Sequence, residues 1–169
     1  MKPEYRYGLL CGTGLSCWIL TEFILGFHTT SLEIGQYSGY FSVVIPVIVI
    51  FAALKDEQHR TNGIMTFKIG INTGFQIAIY SAVLFTLFLF FYNNYINPDW
   101  INAMLEWQRK KLILGGASDD EIGRFMEQNR RMNNSVGQAI MTLISTTGIG
   151  VFITLIEIPL VRIFSKKKK

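Results

Sequence analysis

One uncharged stretch of 28 residues, from Ile69 to Ile96, limits what this chain can fold into more than any other feature. A helix rises about 1.5 Å per residue and the hydrocarbon layer of a membrane is about 30 Å thick, so a spanning helix needs about 20 apolar residues. A helix in the core of a soluble protein rarely stays apolar on every face over such a length. The stretch, with a start at Phe67, is therefore predicted to be a transmembrane helix.

The composition agrees with a membrane protein. Charged residues make up 17% of the chain and hydrophobic residues 50%, whereas an average soluble chain has about 25% charged residues. The net charge of +4 comes largely from Lys166–Lys169. Most of the other basic residues flank apolar stretches, as in membrane anchoring, so nucleic-acid binding is not predicted. Cys11 and Cys17 share one apolar segment but would point to different helix faces, so a disulfide between them is not expected.

Three further apolar stretches complete the predicted fold, an all-α membrane domain of four transmembrane helices that takes in the whole chain, residues 1–169. We place the spans at about residues 7–27, 37–54, 67–96 and 136–163. Pro46 lies within the second span, where it removes a backbone donor and predicts a kink. Thr66 is predicted to cap the third helix, and the preceding Thr-Asn-Gly sequence predicts a turn.

The polar region at residues 97–134 is predicted to form a helical hairpin inserted between spans three and four, outside the bilayer. Gly115–Gly116 would separate its two helices. Ser118 and Glu121 have the Ser-x-x-Glu spacing of a capping box, in which the hydroxyl and the carboxylate bond to free backbone N–H groups. We expect the apolar faces of the two helices to pack together or to lie on the membrane interface.

The distribution of basic residues predicts that both termini are cytoplasmic. The side that holds the termini and the loop between spans two and three carries ten Lys and Arg residues. The opposite side carries six, all of them in the predicted hairpin and accompanied by acidic residues. Basic residues near span ends favour the cytoplasmic side of a membrane.

Four short motifs resemble a bacterial family. Tyr-Gly-Leu-Leu begins at Tyr7, and the second span ends in Ala-Leu-Lys before a charged loop with Asn-Gly. Thr66 begins the sequence Thr-Phe-Lys-Ile-Gly at the start of the third span, and Tyr95 precedes Asn-Pro-Asp at its far end. This order resembles the domain of unknown function 4199 family, small four-span membrane proteins. The resemblance covers nearly the whole chain. It implies a fold in the bacterial inner (cytoplasmic) membrane, and it implies no activity and no functional residues.

Two acidic residues inside spans are candidates for chemistry. A charge at bilayer depth is costly, so Glu22 and Glu157 are each a candidate proton or cation relay. Their positions along the spans put them in opposite leaflets, so we do not expect them to act as a pair. The structural alternatives are that Glu22 reaches towards the outer surface and that Glu157 bonds to a neighbouring helix. Lys68, at the start of the third span, is the predicted ion-pair partner of Glu157.

Other polar and small residues inside the spans have a functional and a structural interpretation. Asn72 and Gln76 form a polar stripe that bonds across helices or lines a substrate path. Small-xxx-small patterns allow close approach of helix backbones, within one bundle or in a dimer. Two such pairs occur, Gly8 with Gly12 and Gly70 with Gly74.

No motif for catalysis or metal binding stands out in the sequence. His28 and His59 are interpreted as solvated loop residues, and no histidine or cysteine spacing indicates a metal site. No phosphate-binding loop and no serine-nucleophile motif is present. We therefore expect no enzymatic activity and no cofactor.

Two functions remain open. The favoured one is a non-catalytic accessory or interaction subunit whose hairpin at residues 97–134 contacts a protein partner outside the cytoplasm, with homo-oligomerisation as a further possibility. The alternative is a small-solute or ion transporter or channel. In that alternative, the path would be lined by Glu22, Asn72, Gln76 and Glu157.

Overall fold

The regular secondary structure is helical throughout the computed structural model, which describes residues 2–132 and 135–166. This confirms the all-α prediction. Residues 133–134 of the predicted hairpin and Lys167–Lys169 of the basic tail lie outside the described residues. In chain order the helices are α1 (Pro3–Ile24), α2 (Leu32–Phe41), α3 (Val44–Arg60), α4 (Phe67–Phe91), α5 (Trp100–Leu114), α6 (Asp119–Met132) and α7 (Ser135–Lys166), with a π-helical turn (Tyr92–Ile96) after α4.

Four helical stretches are long and apolar enough to cross a membrane: Pro3–Ile24, Leu32–Arg60, Phe67–Ile96 and Val136–Ile163. In each of them no more than 28% of the most apolar window is buried. The remaining side chains of these windows are partly or fully exposed. Helices that are hydrophobic on all faces and yet exposed are typical of membrane spans, so these four stretches indicate a membrane protein.

Helix α4 is at the centre of the bundle and packs most extensively against α7 and α1. Helices α1 and α4 run parallel, because Gly8 lies against Tyr80 and Gly12 lies against Leu84. Helix α3 contacts α1, α4 and α7 and closes the bundle. The long uncharged stretch is therefore the element around which the other spans are arranged.

Helices α4 and α7 run antiparallel and approach closely at three glycines, one of which is Gly150 of α7 against Ala78. Gly70 lies against Ile158, and Gly74 lies against Thr154. A Cβ atom at Gly74 would be 2.1 Å from Thr154 Oγ1, a distance that no side chain can occupy without a shift of the helices. The glycines of both small-xxx-small patterns thus lie between helices of a single chain.

The second span is broken into two helices at Ser42–Val43. Pro46 explains the break, because its ring clashes with the carbonyl four residues earlier and it has no N–H to donate to that carbonyl. The carbonyl in question belongs to Ser42, and it accepts a hydrogen bond from the N–H of Ile45 at 3.1 Å instead. The predicted kink is thus a complete interruption of the helix, and the span extends beyond the predicted residues 37–54.

Helices α5 and α6 contact each other across a tight turn. Gly116 has a φ of +78°, which favours glycine at this position. The backbone N–H and the hydroxyl of Ser118 both donate to Glu121 Oε2 at 2.9 Å, and the Glu121 N–H donates to Ser118 Oγ at 3.4 Å. The predicted capping box is confirmed. The predicted cap of α4 is confirmed as well, since Thr66 Oγ1 accepts from the N–H of Ile69 at 3.3 Å.

Candidate functional site

Buried polar side chains concentrate where the end of α1, the loop after it, α2 and the π-helical turn meet. Five of these side chains are no more than 9% exposed. A tryptophan from α1 adds a sixth member. We call this group the Glu22 network, and it consists of Trp18, Glu22, His28, Ser38, Tyr92 and Asn97.

The loop after α1 folds back on the helix and brings His28 beside Glu22. Gly26 has a φ of +77°, and its carbonyl accepts hydrogen bonds from the N–H groups of the three residues 29–31. Gly35 on α2 lies so close to the loop that a Cβ there would be 2.3 Å from the carbonyl oxygen of Phe27. Two glycines therefore permit the tight reversal that positions the histidine.

The Glu22 carboxylate has a hydrogen-bond partner from each of three neighbouring segments. Its Oε1 accepts from Trp18 Nε1 at 2.8 Å and from Ser38 Oγ at 2.5 Å. Its Oε2 lies 3.2 Å from His28 Nε2. A buried charge costs free energy unless it is hydrogen-bonded, and three such bonds offset that cost.

The π-helical turn brings Tyr92 and Asn97 together. The Asn97 N–H donates to the Tyr92 carbonyl at 2.9 Å, which is the i+5 bond of a π turn. This wide turn puts both side chains on one side of the chain, where Asn97 Nδ2 donates to Tyr92 Oη at 3.2 Å. Tyr92 Oη also lies 2.7 Å from His28 Nδ1.

One arrangement of hydrogens satisfies Tyr92, His28 and Glu22, which are hydrogen-bonded in that order. Tyr92 donates its hydroxyl hydrogen to Nδ1 of a neutral His28, and His28 donates Nε2–H to Glu22. In this arrangement both ring nitrogens of His28 and the Tyr92 hydroxyl have a partner within the network.

Aromatic rings enclose this hydrogen-bonded group. The His28 ring lies on the Trp100 ring with 4.1 Å between centroids and an interplanar angle of 32°. The edge of Phe23 faces Tyr92 at 5.8 Å, and Phe88 stacks on Tyr92 at 6.0 Å. Because Trp100 is the first residue of α5, the network also holds the base of that helix.

A family model described as "Protein of unknown function (DUF4199)" matches residues 6–157. The chain belongs to this family. The match confirms the resemblance drawn from the sequence motifs, and it takes in every member of the Glu22 network. No curated protein and no solved structure is significantly similar to the chain.

In this DUF4199 protein the Glu22 network connects segments that are separated in the sequence. Both Glu22 oxygens, both His28 nitrogens and the Tyr92 hydroxyl are bonded to other members of the network. In the part of the chain that the structure describes, no group of three or more His, Cys, Asp or Glu residues is placed to hold a metal ion. The arrangement is suited to locking α1, α2, α4 and α5 together.

The structure corrects two expectations for this end of the bundle. His28, expected to be solvated, is only 4% exposed and bonds to two partners. Glu22, expected to reach towards the outer surface, is 3% exposed and turns into the protein. Both corrections have one cause, since a carboxylate within a span is less costly when donors surround it than when it faces hydrocarbon.

Glu157 lies at the other end of the bundle, and the predicted ion pair is not formed. Lys68 is exposed, Glu157 is buried, and no salt bridge joins them among residues 2–132 and 135–166. Glu157 Oε2 has no hydrogen-bond partner within the same ranges. The registers of Gly12 against Leu84 and of Gly74 against Thr154 place Glu22 and Glu157 about 23 helical residues apart. That corresponds to about 35 Å.

The predicted polar stripe does not join helices. Asn72 is exposed on α4 and Gln76 is partly exposed. Neither side chain makes a hydrogen bond to another residue in the described part of the chain. The stripe therefore faces away from α1 and α7 and towards the surroundings of the bundle.

Sequence reasoning missed four members of the network. Trp18 carries a usable signal, because it precedes Glu22 by four residues and so shares its helix face. The other three carry none: Ser38, Tyr92 and Asn97 come from segments whose position beside α1 is set by the bundle and the π turn.

Proposed function

We propose that this DUF4199 protein is a non-catalytic interaction subunit of the bacterial inner membrane, with both termini in the cytoplasm. The α5–α6 segment, Trp100–Met132, would lie on the opposite side and contact a protein partner. The proposal rests on one observation: contacts hold the start of this segment against the bundle, whereas the rest of the segment is only partly packed.

The base of the segment is held by specific contacts. Trp100 begins α5 and stacks on the buried His28 of the Glu22 network. Further along α5, Lys111 Nζ lies 3.4 Å from Gln36 Oε1 of α2 and 4.1 Å from the centroid of the Trp107 ring. These contacts orient α5 against the bundle and support a role as a rigid platform.

Residues 100–129 of the segment include no completely buried side chain. No residue of α5 is buried, and none of residues 119–129 of α6 is buried. Ile113 is 50% exposed and Leu114 is 87% exposed. Amphipathic helices with uncovered apolar side chains are typical of surfaces that another protein covers.

The charges around these apolar residues indicate the chemistry of the partner. Lys110 is exposed on α5 close to Ile113 and Leu114, and the neighbouring Arg109 pairs with Glu106 at 3.3 Å. Protein interfaces have an apolar centre with a polar rim, and complementary charges steer association. We therefore propose a partner surface with an apolar centre and an acidic rim where it meets α5.

The alternative, a transporter or channel, has less support in its predicted form. The four polar residues assigned to its path do not line a common cavity. Glu22 is enclosed in its network, Asn72 is exposed on α4, and Glu157 is about 35 Å from Glu22 by helical rise. The engagement of both Glu22 oxygens also supports a non-catalytic role.

Site-specific photo-crosslinking in cells tests the proposal. A photoreactive residue is placed at Leu114, with a control at Ile64, which is 74% exposed and lies in the loop before α4. We expect one discrete protein adduct at position 114, co-purification of that protein in mild detergent, and no equivalent adduct at position 64.

The matched variants are Leu114→Glu and Ile64→Glu. The first should reduce recovery of the partner at least about tenfold, which corresponds to about 1.4 kcal/mol of binding free energy, and the second should not. A protein that purifies alone in mild detergent and moves ions or solutes across liposomes would contradict the proposal and favour the alternative.

A further inference from the structure

A groove of about 490 Å³ lies between the start of α1 and the end of α3. This volume is in the range of about 300–1,000 Å³ that is typical of small-molecule sites. The polar and charged side chains that line it come from both helices and are Arg6, Tyr7, Asp56, His59 and Arg60. The groove therefore brings together charged groups of both signs.

The groove lies at the edge of the membrane. Pro3 begins the first membrane-spanning stretch, Arg60 ends the second, and both residues line the groove. Arg6 and Leu10 are four residues apart on α1, so they share a helix face and Leu10 lies about 6 Å deeper. Leu10 also lines the groove and is 59% exposed. A charged part at the membrane edge and an exposed apolar side chain below it match the headgroup and the acyl chains of a phospholipid.

Arg6 supplies a cation that the protein does not use. Its side chain is exposed and makes no hydrogen bond or salt bridge among residues 2–132 and 135–166. Arg60 differs, because its Nη1 donates to Glu57 Oε2 at 2.9 Å and lies 3.9 Å from Glu4 Oε1. A free guanidinium can bind a phosphate through two parallel hydrogen bonds, so Arg6 is the member of the groove that is available for a phosphate.

Asp56 supplies a carboxylate that is only half used. Its Oδ2 accepts a hydrogen bond from the Tyr7 hydroxyl, and its Oδ1 has no partner in the described part of the chain. No salt bridge joins Asp56 to Arg6 or Arg60 within the same ranges, although all three line the groove. A cation and a carboxylate that line one groove without pairing are complementary to a ligand that carries both charges.

We infer that this groove binds a zwitterionic phospholipid, with its phosphate on Arg6, its primary ammonium on Asp56 and an acyl chain along Leu10. A primary ammonium has three N–H donors for a carboxylate, whereas a quaternary ammonium has none. An anionic headgroup places no cation beside Asp56. The inference is independent of a partner at the α5–α6 segment and of the side on which the termini lie, because phospholipid headgroups cover both membrane surfaces.

Native mass spectrometry of the full chain in mild detergent tests the inference, because it resolves each bound lipid by mass. The probes are phosphatidylethanolamine, phosphatidylcholine and phosphatidylglycerol, all with dioleoyl chains. We expect one tightly bound phosphatidylethanolamine per chain, with a dissociation constant about tenfold lower than those of the other two lipids, as expected for one hydrogen bond between charged groups. Equal dissociation constants for the three lipids would overturn the inference without any need for a variant.

Asp56→Asn removes the charge that selects the ammonium. Asparagine keeps an oxygen that can accept from the Tyr7 hydroxyl, so the contact between α1 and α3 is retained. The preference for phosphatidylethanolamine over phosphatidylcholine should disappear in this variant. A preference that persists would overturn the role of Asp56.

Arg6→Gln tests the phosphate contact, and Arg162→Gln is its matched control. Arg162 is an exposed arginine near the end of α7, at the same end of the bundle, and it does not line the groove. Arg6→Gln should raise the dissociation constant for phosphatidylethanolamine at least about tenfold, and Arg162→Gln should change it by less than about twofold. Equal effects would mean a general attraction of lipid to basic residues and would overturn the site.

Soluble phosphoethanolamine distinguishes a lipid from a free headgroup as the ligand. It carries the same phosphate and ammonium but no acyl chains, so it gains nothing from the apolar part of the groove. At a concentration equal to that of the lipid it should displace less than about a tenth of the bound phosphatidylethanolamine. Displacement of half of the lipid would overturn the assignment to a phospholipid.

Discussion

At the level of single residues, Glu22 and Glu157 are both buried acidic residues within membrane spans, but their hydrogen bonding differs. Glu22 is surrounded by donors from Trp18, His28 and Ser38. Glu157 is buried on α7 without a partner for its Oε2 in the described residues. The neighbours at each position decide whether a buried glutamate is hydrogen-bonded, so the residue type alone does not decide its role.

Removal of the Glu22 carboxylate should destabilise the fold strongly. Glu22→Ala leaves the Trp18 and His28 donors without an acceptor inside the protein, whereas Ser38 still donates to the Gly35 carbonyl, and a buried donor left without a partner costs about 1–3 kcal/mol. Unfolding free energies in one mild detergent measure the effect. Glu33→Ala is the control, because Glu33 is exposed on α2 and its loss should change stability by no more than about 0.5 kcal/mol. Equal losses for both variants would contradict the network.

The contact between Glu22 and His28 should appear as a coupling. His28→Ala and Glu22→Ala remove the same hydrogen bond, so the double variant should lose less stability than the sum of the single variants, by about 0.5–3 kcal/mol. The same unfolding experiment on the two single variants and the double variant gives this difference. Additive losses would mean that the 3.2 Å contact contributes nothing to stability.

At the level of elements, close packing and caps decide which helices are held firmly. Helices α4 and α7 meet at three glycines, whereas α6 depends on a capping box at its exposed start. The contact between α4 and α7 is therefore sensitive to the volume of the side chains at these glycine positions. The start of α6 is sensitive to the charge of Glu121.

Gly74→Ala should destabilise the contact between α4 and α7. The added Cβ would meet Thr154 Oγ1 at 2.1 Å, and overpacking typically costs about 1–3 kcal/mol. Gly148→Ala on α7 is the matched control, because nothing lies within 4 Å of a Cβ there. Since alanine favours a helix over glycine, Gly148→Ala should be neutral or stabilising by up to about 1 kcal/mol. Thermal unfolding in the same detergent compares the two, and a greater loss for Gly148→Ala would contradict the packing.

The start of α6 should lose protection in acid. Hydrogen bonds from the backbone N–H and the hydroxyl of Ser118 lower the pKa of Glu121 from its ordinary value of 4.5. A group whose pKa is lower in the folded state stabilises the fold above its unfolded pKa, and this contribution disappears as the pH falls through the folded pKa. Hydrogen exchange at the Ile122 N–H, corrected for its intrinsic pH dependence, should therefore accelerate below about pH 4.5.

Glu121→Gln is the control for this pH effect. Glutamine retains the geometry of the capping box but has no carboxyl group to titrate. The corrected exchange rate of this variant should be flat over the same pH range. An identical acid dependence in both proteins would mean that another group is responsible.

At the level of the whole molecule, the proposed orientation puts the end of α3 with His59 and the start of α6 with Asp120 on opposite sides of the membrane. Both residues are exposed, so each tolerates a cysteine. In a background in which Cys11 and Cys17 are replaced by serine, a membrane-impermeant thiol reagent added to cells with opened outer barriers should label Asp120→Cys and not His59→Cys. The reverse pattern would place both termini outside the cytoplasm.

The sequence by itself determined the helical class, the four apolar stretches, the family and the local caps. These features depend on composition, on run length and on residues within four positions of each other, such as Ser118 with Glu121. They do not require knowledge of which helices are neighbours. This is also why the break caused by Pro46 was visible in the sequence, although its completeness was not.

Only the tertiary structure decided the partners of the polar residues. His28 meets Tyr92 across 64 positions of sequence, and Ser38 meets Glu22 across 16. Lys68 and Glu157 had compatible charges and depths, yet the packing leaves Lys68 exposed and Glu157 buried. A span presents its residues on all sides, so the rotation of each helix about its axis selects the contacts. That rotation follows from close packing between glycines and their neighbours, which no charge or hydropathy pattern encodes.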